Sequence, residues 1–341
     1  MVLPALTPFL LGRLVFLAIA IGACAPLPTP AVSLPPPSPS TDESHPPIEP
    51  PGPGADFAPH SVAFWDAGHG ILVGSPPGDN AKQGIVATTV DGGRTWKIGP
   101  VLEMPLVRVT TSDVNDAWAT AACEAPCRPP LFHSADGGMT WRTLGSDVSI
   151  ATFADSVHGW GTSSGGTAGD GEQLFETHDG GVSWKPVGLV CGRAWPEAAG
   201  LRFVGDRHGW IVCSGEGSGT MGPNATFETA DGGRKWRLRS SVTFSEAAIR
   251  VGRPPSGPVV GAFFLRSGQA WVWQGRSGTE ASRDGGATWG QSPPGKPEEV
   301  FVDPMWFVSD RVGFALVFAD GATQLWTTTD GGSTWRAVHR W

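Results

Sequence analysis

Across residues 57–341 short apolar or alternating runs of four to six residues are separated by turn formers, and they recur at a fixed phase. An aromatic or β-branched position is followed seven residues later by a large apolar one, usually after Gly or Ala. The series reads Phe64…Gly70-Ile71, Thr111…Ala117-Trp118, Phe153…Gly159-Trp160, Phe203…Gly209-Trp210, Phe264…Ala270-Trp271 and Phe307…Gly313-Phe314. Runs such as Leu201-Arg202-Phe203 and Trp210-Ile211-Val212 predict strands, with turns between them. Each pair precedes a second element, Ser/Thr-x-Asp-Gly-Gly-x-(Ser/Thr/Lys)-Trp. It occurs at 89–96, 134–141, 177–184, 229–236, 282–289 and 328–335.

The aspartates of this element are spaced by 45, 43, 52, 53 and 46 residues. A period in this range marks stacked supersecondary units, and the even spacing leaves no room for a hidden unit. Each unit reads as strand, turn, strand, loop, strand, Asp-Gly-Gly turn, strand, with no helical periodicity. Four antiparallel strands repeated six times predict an all-β, six-bladed β-propeller rather than a seven-bladed one. Ring closure removes the sheet edges that an open array would expose. Within the turn, Gly permits positive φ, the aspartate accepts backbone N–H groups, and Trp packs back over the hairpin.

Residues 1–23 change the picture from a bare domain to an exported one. Arg13 precedes a short apolar core, Leu14 to Ala20, that is too short to span a bilayer. It ends in Ile21-Gly22-Ala23-Cys24, which resembles a bacterial lipobox and predicts Cys24 as the lipidated residue. Acyl chains contribute about 0.8 kcal/mol per buried CH₂, so two or three of them anchor stably. Residues 24–56 carry twelve prolines and the acidic Asp42, Glu43, Glu49 and Asp56, without Lys or Arg. This is a tether with a reach of roughly 100 Å in the polyproline conformation. The expected location is the outer face of the bacterial cytoplasmic membrane, or the periplasm or outer membrane of a host that has one.

Composition narrows the chemistry. Hydrophobic residues make up 40% of the 341, enough for a core, and the formal net charge of −8 argues against nucleic acid as a partner. There is no tyrosine. Cys123, Cys127, Cys191 and Cys213 remain after Cys24, and an even count in an exported chain favours disulfides over a metal site. Topology favours the pairs 123–127 and 191–213. The first would close a loop between strands 2 and 3, and Cys191 precedes the blade whose own such loop begins at Cys213.

The Asp-Gly-Gly element matches the Asp-box, or BNR repeat, of sialidases, sortilin-type receptors and xyloglucanases. With Phe and Gly-Trp ahead of each box, the pattern resembles the propeller family of photosystem II assembly and stability factors over about residues 57–341. That resemblance implies the fold, and a protein-binding role on an envelope or membrane protein. It also implies basic residues on the propeller as contacts, matched here by residue type only. Sialidase catalysis, by contrast, uses a tyrosine nucleophile and an arginine triad. This chain has no Tyr, and Cys127-Arg128-Pro129-Pro130 and Gly252-Arg253-Pro254-Pro255 are poor substitutes for the family's arginine motif.

Candidate residues follow, each with its plainer reading. Asp91, Asp136, Asp179, Asp231, Asp284 and Asp330 read as turn stabilisers rather than calcium ligands or catalytic acids, because an active site uses each role once. Arg108 and Arg202 on expected innermost strands, with Arg193 and Arg253 on interblade links (188–200 and 239–260), are candidate partner contacts; the alternative is pairing with nearby carboxylates. His69, His158 and His208 repeat with the blades as turn residues, and Asn224-Ala225-Thr226 is a formal glycosylation sequon. No catalytic residue, cofactor or metal is expected. The alternative is a glycan-binding or glycan-hydrolysing propeller, which needs two converging carboxylates among Asp79, Glu124, Asp170, Glu172, Glu197 and Glu216.

Overall fold

The computed structural model describes residues 57–76, 82–113, 115–122, 129–145, 148–163, 171–215, 222–243, 251–274, 278–292, 300–301 and 305–341. The chain divides into two compact units, residues 1–47 and 48–341, and all described residues belong to the second. Cys24, Cys123 and Cys127 lie outside the described residues. No helix among the described residues is long and apolar enough to cross a membrane.

The second unit is a six-bladed β-propeller. Six antiparallel sheets follow one another along the chain, each made of consecutive strands paired in sequence order. The innermost strands are Ala58–Phe64, Leu106–Thr111, Ile150–Phe153, Glu197–Val204 and Gly261–Phe264, and they pack side by side around a central channel. The sixth blade splits its inner strand into Val300–Phe301 and Trp306–Phe307, both paired with Gly313–Ala319. The outer strand of the fourth blade, Arg237–Val242, extends into the stretch expected to be interblade link, because Asn224 pairs with Val242.

The motif residues turn out to join blades as well as to build them. Each strand-2 aromatic stacks on the strand-1 Phe of the next blade. The pairs are Trp118 on Phe153 (3.8 Å, 5°), Trp160 on Phe203 (4.0 Å, 10°), Trp210 on Phe264 (5.3 Å, 4°) and Trp271 on Phe307 (3.7 Å, 10°). The same Phe then meets its own blade's Asp-box Trp edge-on, as Phe153 meets Trp184 at 6.0 Å. In blades 1 and 2 the corresponding repeat positions hold Ile71 and Thr111 instead.

The motif glycine has a steric reason. A Cβ on Gly159 would lie 2.5 Å from the Phe153 ring, and one on Gly209 would lie 2.7 Å from Phe203. With only a hydrogen in that place the ring lies close and flat across strand 2.

Among the described residues the ring closes without strand exchange, since the first blade is built from the N-terminal strands and the last from the C-terminal ones. Closure rests on side chains. Phe314 stacks on Phe64 at 3.5 Å and 5°, and the Trp306 indole donates to the Phe64 carbonyl at 2.7 Å. At the periphery His339 Nδ1 bonds the Arg94 carbonyl oxygen at 3.0 Å, and Trp341 approaches Trp96 at 6.1 Å.

Candidate binding site in the central channel

The rigid frame begins at the Asp-boxes. In the first, the Thr89 hydroxyl donates to Asp91 Oδ1 (2.9 Å) and accepts the Gly93 N–H (3.0 Å). Asp91 Oδ1 also accepts the Arg94 and Thr95 N–H groups, and Oδ2 accepts the Thr95 hydroxyl at 2.6 Å. Both glycines have positive φ in all six boxes. The same bonds recur at Asp136, Asp179, Asp284 and Asp330, where a Ser or Thr hydroxyl closes the network. Those hydroxyls, with the backbone N–H groups, pull Asp136, Asp179 and Asp330 down to about 2. At Asp231 the hydroxyl is replaced by Lys235, which supplies its N–H to Oδ1. Each carboxylate is thus occupied by its own turn.

The turn between strands 1 and 2 is tied in a similar way. Asp66 Oδ1 accepts the Gly68 and His69 N–H groups, and Asp155 Oδ1 accepts those of Val157 and His158. His69 and His158 also meet these aspartates through Nδ1, while His208 meets Glu228. Asn224 is buried and donates to the Gly222 and Gly257 carbonyls, so its amide faces the fold.

The channel holds the group that the frame does not use. The residue preceding the motif Phe is Ala63, Thr110, Thr152, Arg202, Phe263 or Trp306 in successive blades, and all but Ala63 line one central cavity of about 80 Å³. Arg202 sits there with its guanidinium carbon 4.7 Å from the Phe263 ring centre and 4.9 Å from that of Trp306. Some of its surface still opens to the channel, yet burial pushes its pKa down to about 10, so it stays protonated at neutral pH. Its Nε has no acceptor, and among the described residues no carboxylate pairs with it. The aromatic faces offset part of the desolvation of that charge. A buried ion without a counter-ion is otherwise costly.

Arg108 lines the same cavity from blade 2. The structure therefore brings two of the four candidate arginines together and separates the others. Arg193 is exposed on the link between blades 3 and 4. Arg253 is exposed too, with its backbone bonded to Ala287 and Trp289 of blade 5, beside a groove of about 450 Å³ between blades 5 and 6. Phe263 and Trp306 were not singled out from the sequence. The signal was present, because both occupy the repeat position of Arg202.

Of the carboxylates considered for hydrolysis, Asp79, Glu124, Asp170 and Glu216 lie outside the described residues. Burial raises the pKa of Glu172, the charge of Glu197 adds to the rise, and its Oε1 accepts the Ala198 N–H at 2.9 Å. Close by, Cys191 and Cys213 are joined by a disulfide with a Cα separation of 5.4 Å. Cys191 takes a positive φ of 56° at the end of its strand.

No protein-family model matches the chain. The Photosystem II assembly lipoprotein Ycf48 of Synechococcus sp. (strain CC9902) is 30% identical over 130 residues, which cover 37% of this chain and 36% of that protein. The alignment spans about a third of that relative's length. A solved structure of YCF48 bound to D1 peptide is 19% identical, covering 83% of this chain and 82% of that one, with a TM-score of 0.49. The GH93 alpha-L-arabinofuranosidase of Fusarium graminearum, solved with arabinobiose, is 12% identical over 82% of this chain and 95% of its own, with a TM-score of 0.50. The chain is an Asp-box β-propeller. A glycosidase shares this fold, and fold alone does not assign function.

Proposed function

We propose that this chain is a non-catalytic binding or assembly module, exported and tethered to a membrane through a lipidated Cys24 and the proline-rich segment, that holds a partner protein against its propeller. One observation carries the reading: Arg202 is a half-buried cation on a rigid wall, with aromatic faces beside it and no counter-charge among the described residues. Such a group binds an incoming acceptor with little reorganisation. The similarity to a protein named as an assembly lipoprotein supports both the partner and the anchor. A crosslinking pull-down from native membranes tests it, comparing wild type with Arg202→Met. One protein recovered in near-equal amount with wild type and lost with the variant supports the reading. Nothing enriched above a tag control sinks it.

A glycan-hydrolysing role is the second reading, favoured by Glu172. A buried carboxyl that burial keeps protonated to higher pH is a candidate general acid. Release of reducing sugar from polysaccharides by wild type and not by Glu172→Gln is the result that would establish it.

A further inference from the structure

We propose that the central channel is a binding site for an organic carboxylate, with Arg202 as the ion-pairing group and the Thr120 and Thr152 hydroxyls as additional donors. The inference rests on the reading of the channel as the binding site and names the chemistry that fills it.

Three residues that line this cavity each carry a buried polar atom without a partner: Arg202 Nε, Thr120 Oγ1 and Thr152 Oγ1. They come from the consecutive blades 2, 3 and 4, along one arc of the ring. A guanidinium N–H can only donate and a hydroxyl can donate, so together they suit an acceptor-only ligand. Arg108 adds a second positive charge on the same wall.

Most of the remaining lining is apolar, including Val109, Leu131, Ile150 and Leu201, with Ser61 and Thr110 among it. An inorganic anion such as sulfate or phosphate would have to give up hydration on every side against that surface. A carboxylate has one charged end and an apolar body, and it matches a wall with donors at one place and hydrocarbon elsewhere. Guanidinium and carboxylate also pair in a planar geometry that Lys does not reproduce. Phe263 and Trp306 hold the guanidinium over their faces and so fix its plane.

The carboxylate can be that of a small molecule or that of a side chain inserted by a partner. Isothermal titration of the full-length, detergent-solubilised protein separates the sources. Benzoate against benzamide probes the free ligand. N-acetylglutamate N-methylamide against its glutamine counterpart probes a side chain. Binding of either carboxylate, about tenfold or more tighter than its neutral partner, is the expected result. Arg202→Met should abolish it, Arg202→Lys should weaken it, and Thr152→Val should weaken it several-fold. The Thr152 variant keeps the test decisive if an Arg202 variant fails to fold. Equal binding of carboxylate and amide, undiminished binding to Arg202→Met, or binding of neither carboxylate would overturn the proposal. Carboxylates that fail to bind, while a partner captured by wild type is lost with Arg202→Met, would leave the partner reading standing and remove only its carboxylate chemistry.

Discussion

The indole of Trp118 lies flat on the phenyl ring of Phe153, 3.8 Å away and 5° from parallel, although the two belong to different blades and lie 35 residues apart. Trp118 also donates its N–H to the carbonyl of Gly180, in the Asp-box of blade 3, at 2.9 Å. Trp160 repeats this with Gly232 at 3.2 Å. One residue type therefore sends its face to the next blade's inner strand and its polar edge to that blade's outer turn. At the next interface Arg239 Nε takes the Gly285 carbonyl, and the Trp210 N–H is left without a partner.

The glycine beneath the ring is the first point to test. Blade 5 carries Ala270 there, and the Trp210–Phe264 stack is wider, at 5.3 Å. Gly159→Ala is expected to push Phe153 outward in the same way and to cost about 1–3 kcal/mol through overpacking. Ala117 sits at the equivalent position under Thr111, so Ala117→Gly should cost only about 0.5–1 kcal/mol through backbone entropy. Chemical unfolding of the two variants beside wild type decides it. Equal losses would show that the phenyl ring does not set the need for glycine.

The Asp-boxes give a pH dependence with a definite sign. The turn hydroxyls and N–H groups hold Asp136, Asp179 and Asp330 down at about 2, below the ordinary aspartate range. A depressed carboxylate contributes stability that is full above the unfolded pKa and is lost as pH falls through the folded one. The melting temperature should therefore hold above about pH 4 and fall between about pH 4 and 2. Thr140→Ala removes the hydroxyl that bonds Asp136 Oδ2, and carbon-detected titration should show that carboxyl moving up. Lys235→Thr should move Asp231 the other way. No movement in either variant would mean that the fifth-position hydroxyl of the turn does not set these values, leaving them to the backbone N–H groups and the Ser134 and Thr229 hydroxyls.

The disulfide closes a loop of 22 residues in sequence separation. On the chain-entropy model a loop of that size contributes about 3 kcal/mol. Replacing both Cys191 and Cys213 with Ser should lower unfolding stability by about that amount and leave carboxylate binding in the channel intact. A loss of channel binding in a protein that still melts cooperatively would tie the bridge to the site.

Blade number and strand order were legible in the sequence because each blade repeats a Phe or Thr, a Gly or Ala followed by a large apolar residue, and an Asp-box at a constant phase, and antiparallel hairpins are local. The stacking of Trp118 on Phe153 was not, because periodicity within a blade carries no information about which blade a ring faces. The four arginines were equivalent in the sequence by residue type. What separates them is register: Arg202 directly precedes a motif Phe, and that position faces the channel, whereas Arg253 is held by backbone bonds on the flank of blade 5. The two aromatic companions of Arg202 come from blades 5 and 6, more than 60 residues away, so only the closed ring assembles the site.

Closure itself is the last test. Many rings are locked by a strand shared between the first and last blades, but here Phe64 on Phe314 and the Trp306 bond to the Phe64 carbonyl perform that task. Phe314→Ala removes a fully buried ring at the seam, with an expected loss of about 3–5 kcal/mol. Phe153→Ala removes an equally buried ring at an internal interface, where the blades remain joined by continuous chain. Both should lower stability by similar amounts, but only the seam variant should allow the first and last blades to part under native conditions. Hydrogen exchange reads this directly. Faster exchange at Ala58–Phe64 and Gly313–Ala319 in Phe314→Ala, without a matching change around Phe153 in Phe153→Ala, is expected. Identical exchange patterns at the two interfaces would show that the seam is no weaker than any other joint in the ring.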